Sequence, residues 1–169
     1  MIWIAAAILT IFFGVQVFSL VSVLQHTDKK LEKRKDFPMV SILLAARNEE
    51  QLILRNLTAL NALNYPKDKL EVLIGNDDSA DNTAQLVTDF MQYKPHFQLF
   101  HIDKTVGKGR GKANVLGQLA HKASGEFYFI TDVDVKLPEN WILALLQEFT
   151  DGVGLVSGTT KCERGSLFA

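Results

Sequence analysis

The chain has 169 residues, a net charge of −1 and 47% hydrophobic residues, enough for one compact domain with something extra. The balanced charge offers no basic excess for a nucleic-acid partner. A single cysteine, Cys162, excludes an intrachain disulfide and suits a reducing compartment.

Residues 1–24, MIWIAAAILTIFFGVQVFSLVSVL, contain no Asp, Glu, Lys or Arg. As a helix at ~1.5 Å per residue they span roughly 36 Å, against a hydrocarbon core of ~30 Å. A transmembrane helix is therefore predicted over 1–25. A cleaved signal peptide would add a basic start and a small-x-small cleavage site, and neither is present. A juxtamembrane linker over 26–37 follows, carrying Lys29, Lys30, Lys33, Arg34 and Lys35, with no Lys or Arg on the other side of the apolar run. The positive-inside rule then places everything after it in the cytoplasm, as for a protein of a bacterial inner membrane.

From Phe37 onward apolar, β-rich runs alternate with amphipathic ones. MVSILLAA (39–46) predicts a strand and NEEQLILRNLTALNAL (48–63) a helix, with Asn48 and Gln51 spaced like a capping box. LEVLIGN (70–76) is a second strand, 81–93 a helix burying Leu86, Val87, Phe90 and Met91, and FQLFHI (97–102) a third strand. KANVLGQLAHKAS (112–124) predicts a helix with Gly125 as its C-cap. A strand buried on both faces follows at Phe127, then a helix over 138–149 and a fifth strand, VGLVSG, over 153–158. This alternation predicts an α/β fold with a doubly wound, mostly parallel sheet. Such sheets bind ligands outside the carboxyl ends of their strands, where strand order reverses.

Those ends are polar: Ala45-Ala46-Arg47-Asn48-Glu49, then Asn76-Asp77-Asp78-Ser79, then Asp132-Val133-Asp134. In an extended segment the side chains of residues i and i+2 point the same way, so Asp132 and Asp134 can present two carboxylates to one point. Two such charges call for a cation, and hard oxygen ligands favour Mg²⁺ or Mn²⁺ completed by water and substrate phosphate. The pair also reads as a plain turn, with Pro138 opening the next helix. GKGRGK (107–112) fits neither phosphate-loop pattern: Val106 and Ala113 break one and Lys112 the other. What remains is a cationic loop entering a helix N-terminus, able to attract phosphate.

PMVSILLAARNEE, EVLIGNDDSADNT and GKANVLGQLAHKASGEFYFITDVDV together resemble, in order and spacing, the nucleotide-sugar-binding half of family 2 glycosyltransferases. The resemblance implies a GT-A fold over 38–169, a nucleotide-sugar donor (usually a UDP-sugar), Mg²⁺ or Mn²⁺, and inverting, hexosyltransferase-like transfer to an unknown glycan, lipid or other acceptor. It places Ala45, Arg47, Asn48 and Glu49 along the base and ribose, and Asp78 on the uracil. Lys112 falls near the diphosphate, Asp132 at the ribose or metal, and Asp134 on the metal. The family's general base has no counterpart here, so the domain is expected to be truncated and its base to lie beyond Ala169. Two other readings stand beside this one: a non-catalytic, membrane-tethered nucleotide-binding module, and a nucleotidyltransferase, for which the Gly-rich signature after the first strand is missing.

Overall fold

The computed structural model describes residues 2–24 and 36–160. The basic cluster of the predicted linker and Cys162 lie outside the described residues. Two compact units are separated within that linker, Met1–Glu32 and Lys33–Ala169.

The first unit contains helix α1, Ile2–Leu24, continuous over 23 residues and free of Asp, Glu, Lys and Arg. Its described side chains include Trp3, Leu9, Ile11, Phe12, Phe13 and Phe18, all exposed. A helix apolar all round has no polar face to turn toward water. Among the described residues no helix qualifies as long and apolar enough to cross a membrane; only part of α1's side chains is among them.

The second unit is built on four parallel strands: β1 (Val40–Ala46), β2 (Leu70–Asn76), β3 (Phe97–His101) and β4 (Phe127–Thr131), in the order β3-β2-β1-β4. Every residue of β2 is buried, and β1 is buried apart from the half-buried Ala45. Side chains alternate between the faces. Val40, Ile42, Leu44, Val72 and Ile74 pack with Ile53, Leu57 and Leu60 of α2 (Ile53–Asn61), Val87 of α3 (Thr83–Phe90), and Ile142 and Leu146 of α5 (Trp141–Leu146). On the opposite face Leu43 and Leu73 meet Val115 and Leu119 of α4 (Lys112–Ala120). Helices thus cover both faces, as a doubly wound sheet requires. Gly75 gives α4 its close approach: a Cβ there would overlap Val115 Cγ1.

Four local expectations are corrected. Asn48 does not cap α2, whose N-cap is Leu52 without a side-chain bond; Asn48 is instead engaged across the chain by the loop after β2. Gly125 does not end α4, which stops at Ala120. A Cβ on Gly125 would collide with Ser41 and lie 2.9 Å from the Val40 carbonyl carbon, so the glycine lets the chain enter β4 flush against β1. β4 is not buried on both faces: Tyr128 and Ile130 are 50% and 56% exposed, because it has only β1 as neighbour among the described strands. Finally, 153–158 form no strand; they find no ladder partner among the described residues, and Leu155 is exposed.

Candidate active site at the strand ends

Chain order runs outward from β1 through β2 to β3, then returns through α4 to β4 on the other side of β1. The switch point therefore falls between β1 and β4, at their carboxyl ends. A cavity of about 470 Å³ lies there, lined by Ala45, Ala46, Arg47 and Glu49 after β1, Asp77 after β2, Gly111, Lys112 and Val115 at the start of α4, and Asp132, Val133 and Asp134 after β4. Four chain segments remote in sequence meet here, three of them because parallel strands put all their carboxyl ends on one side and the fourth because α4 begins there.

Of the residues singled out from the sequence, Ala45, Arg47, Glu49, Lys112, Asp132 and Asp134 meet in this cavity, and both aspartates face it. Asn48 and Asp78 do not line it. Both take left-handed backbone, with φ of 55° and 52°. Asn48 accepts a hydrogen bond from the Ala80 amide at 2.8 Å on its side-chain oxygen and donates its own amide to Ser79 Oγ at 3.0 Å. Glu49 and Glu50 continue the seam: their amides donate to Thr83 Oγ1 at 2.8 Å and Asp81 Oδ2 at 3.1 Å. These bonds hold the loop after β1 against the loop after β2, and Asn48 shapes the cavity wall without entering it. Asp78 is exposed.

Asp77 was missed by the sequence reading. Its amide donates to the Ala46 carbonyl at 2.9 Å, which carries the β1–β2 register one residue past the strands and sets Asp77 beside Arg47, 3.5 Å away. Extending the parallel register past Ala46 and Asn76 would have found this pair. Lys112 donates to Asp132 Oδ1 across the cavity mouth. In the basic loop, Asn114 anchors the Lys104 carbonyl at 3.0 Å and the Val106 amide at 2.9 Å, and of GKGRGK only Gly111 and Lys112 reach the cavity.

The charges lining this space are unequal: Glu49, Asp77, Asp132 and Asp134 against Arg47 and Lys112. A diphosphate entering it needs additional positive charge. Among the described residues no three His, Cys, Asp or Glu side chains are grouped to hold a metal ion unaided. Two carboxylates one residue apart nevertheless suit Mg²⁺ or Mn²⁺, which take one or two protein carboxylates and draw the remaining oxygens from phosphate and water. The donor set therefore fits a metal that arrives with a phosphorylated ligand.

An open α/β sheet with a polar, carboxylate-rich crevice at its switch point defines a doubly wound, ligand-binding class of protein. The chain belongs to glycosyl transferase family 2, whose description it matches over residues 41–168. It is similar to the probable glycosyltransferase YdaM of Bacillus subtilis (strain 168), 37% identical over 110 residues that make up 65% of this chain and 26% of that protein. It is also similar to a poly-beta-1,6-N-acetyl-D-glucosamine synthase of Staphylococcus epidermidis, 27% identical over 97% of this chain and 37% of the relative. The chain thus spans well under half the length of these curated relatives. Among solved structures it matches a mannosyltransferase from Pyrobaculum calidifontis in complex with GDP-Man and Mn²⁺, with TM-score 0.67, 26% identity, and coverage of 85% of this chain and 42% of that one. Staphylococcus aureus TarS 1–349 in complex with UDP-GlcNAc shares the fold, with TM-score 0.55 and 23% identity over 70% of this chain and 37% of that one. The four-stranded parallel sheet is that of GT-A-like glycosyltransferases.

Proposed function

We propose that this chain forms the donor-binding part of a membrane-anchored glycosyltransferase that moves a hexosyl group from a nucleotide sugar, a UDP-sugar by preference, to an acceptor with inversion at the transferred carbon. The observation that carries the reading is the cavity at the β1–β4 switch point, into which Arg47, Lys112, Asp132 and Asp134 all open. Ala45, Arg47 and Glu49 serve the base and ribose, Asn48 braces their loop from outside the cavity, and the exposed Asp78, next to the lining residue Asp77, offers its carboxylate to the uracil from the rim. Asp134, with Asp132, holds Mg²⁺ or Mn²⁺ brought in by the diphosphate. Lys112 turns its ammonium from Asp132 to the phosphate. When bound, such a metal neutralises the charge that develops on the leaving nucleoside diphosphate. The mannosyltransferase neighbour, whose structure contains GDP-Man and Mn²⁺, supports this assignment.

Every carboxylate lining the cavity is committed to the donor or to Arg47. The base that takes the acceptor proton is therefore to be sought outside this lining set, in keeping with a chain that covers 26% and 37% of the two relatives' lengths. The anchor is α1: its 23 residues span roughly 34 Å as a helix at ~1.5 Å per residue, and described and undescribed positions alike carry no formal charge.

The test is titration calorimetry of the chain with UDP, with and without Mn²⁺, followed by product analysis with UDP-sugars. Metal-dependent binding of UDP without sugar transfer is the expected result. UDP binding that ignores Mn²⁺ removes the metal from the reading, and sugar transfer by residues 1–169 places the base among them.

A further inference from the structure

Helix α2 buries Ile53, Leu57 and Leu60 against the sheet, and among them it also buries Asn56, which is 1% exposed. An asparagine is a poor choice for such a place. Its helix propensity is low, and its side-chain oxygen has no hydrogen-bond partner here, a state that costs free energy in a buried site. A leucine, with the same number of side-chain heavy atoms, would have the higher helix propensity.

What the amide does instead is reach across to the aspartate loop. Its Nδ2 carries two hydrogens, and both are used: one goes to the Asp132 carbonyl at 3.1 Å, the other to the Val135 carbonyl at 3.2 Å. The residue before it, Arg55, donates through Nη2 to the Asp134 carbonyl at 2.9 Å. Three of the four carbonyls of Asp132-Val133-Asp134-Val135 are therefore held by two consecutive residues of one helix. That helix begins directly after the loop carrying Arg47 and Glu49. α2 thus ties the wall of the cavity after β1 to the wall after β4, at the point where sheet pairing with β1 has ended at Thr131.

We infer that Asn56 and Arg55 are positioning residues of the donor site: they fix the backbone from which Asp132 and Asp134 project, and so set the distance between the carboxylates and the residues facing the nucleoside. The inference rests on the metal–diphosphate reading above. It assigns the buried, half-satisfied amide to the geometry of the site and explains why a helix that could use leucine at this position carries asparagine.

The experiment compares the full chain with Asn56→Leu and Arg55→Met, using UDP with Mn²⁺, UDP in EDTA, and thermal melting. Removing outer hydrogen bonds that orient metal ligands weakens metal binding by about 10–100-fold. Asn56→Leu is expected to weaken UDP binding in Mn²⁺ by about tenfold or more, to change binding in EDTA by less than about twofold, and to keep a single cooperative melt above the assay temperature. Arg55→Met, on an exposed side chain, shows the same selectivity with a smaller loss, about threefold. Equal losses with and without metal, accompanied by a lowered melting temperature, reduce Asn56 to a packing role and overturn the inference. Parent-like binding of both variants in Mn²⁺ overturns it as well. A parent chain whose UDP binding ignores Mn²⁺ instead defeats the underlying reading, and that result is seen before any variant is made.

Discussion

Asp132 shares its carboxylate with the ammonium of Lys112, whereas no such cation neighbours the Asp134 carboxylate among the described residues. Truncating the two aspartates therefore has unequal consequences. Without Asp132, Lys112 is released and its charge becomes available to the diphosphate, offsetting part of the loss. Without Asp134, nothing nearby substitutes. Asp134→Ala is expected to abolish Mn²⁺-dependent UDP binding, and Asp132→Ala to weaken it by about tenfold, within the range for disturbed metal sites; calorimetry at neutral pH compares them. Equal binding by both variants and the parent would make the pair a turn and nothing more. At the other end of the sheet, Glu71 is buried and collects three bonds on one oxygen, from Ser41 Oγ at 2.5 Å and from the Ser124 amide and hydroxyl at 2.6 and 3.0 Å, while Gly125 donates its amide to Ser41 Oγ at 2.8 Å. Gly125→Ala drives a methyl group into this knot, against backbone atoms that cannot step aside. A loss of about 3 kcal/mol in unfolding free energy follows, at the upper end for overpacked sites, and urea melts will measure it.

Elements differ in how much of them the sequence discloses. β1 and β2 were legible because strands buried on both faces must be continuously apolar, and VSILLAA and LEVLIGN are nearly so. FYFIT carries the same signature, yet Tyr128 and Ile130 are exposed; composition records apolarity, while the number of neighbours is set by strand order. Helix starts were misread because the polar side chains that resemble caps are spent on other segments, Asn48 on Ser79 and Ala80. The site was legible as strand ends, but choosing between Asp77 and Asp78 needed the register beyond the strands. The seam between the loops after β1 and β2 also carries a pH dependence. Burial pulls the Asp81 carboxyl upward, but the Thr83 hydroxyl and amide and the Glu50 amide donate to it and prevail, so it sits below its ordinary value. His96 is likewise lowered, by burial and by the charges of Lys67 and Lys94. In both cases the unfolded chain binds the proton more readily. The stability they contribute is complete above the unfolded values and is lost as pH falls through the lowered folded ones. Chemical denaturation should therefore show a first decline below about pH 6.5, which His96→Gln removes, and a second in the carboxylate range, which Asp81→Asn removes.

At the level of the whole chain, the one-sided charge around α1 predicts orientation. Residues 29–35 contribute five basic side chains on one side of the apolar run, and none precedes it. With α1 as the proposed anchor, a reporter fused after Ala169 is expected to be active only in the cytoplasm; activity on the far side of the membrane reverses the topology, and activity without membrane association removes the anchor.

The strand order also has a temporal meaning. Val40 meets Leu70 on one side and Phe127 on the other, so joining β4 to β1 closes nearly three times as much chain as joining β2. The added loop-closure entropy is only about 1 kcal/mol, but pairings distant in sequence form late. β1, β2 and β3 should assemble before β4 arrives with its aspartates, so the nucleotide pocket is the last thing the refolding chain completes. Pulse-labelled hydrogen exchange should protect amides 70–76 before 127–131, and UDP with Mn²⁺, having no pocket to bind until then, should slow unfolding without hastening the early protection.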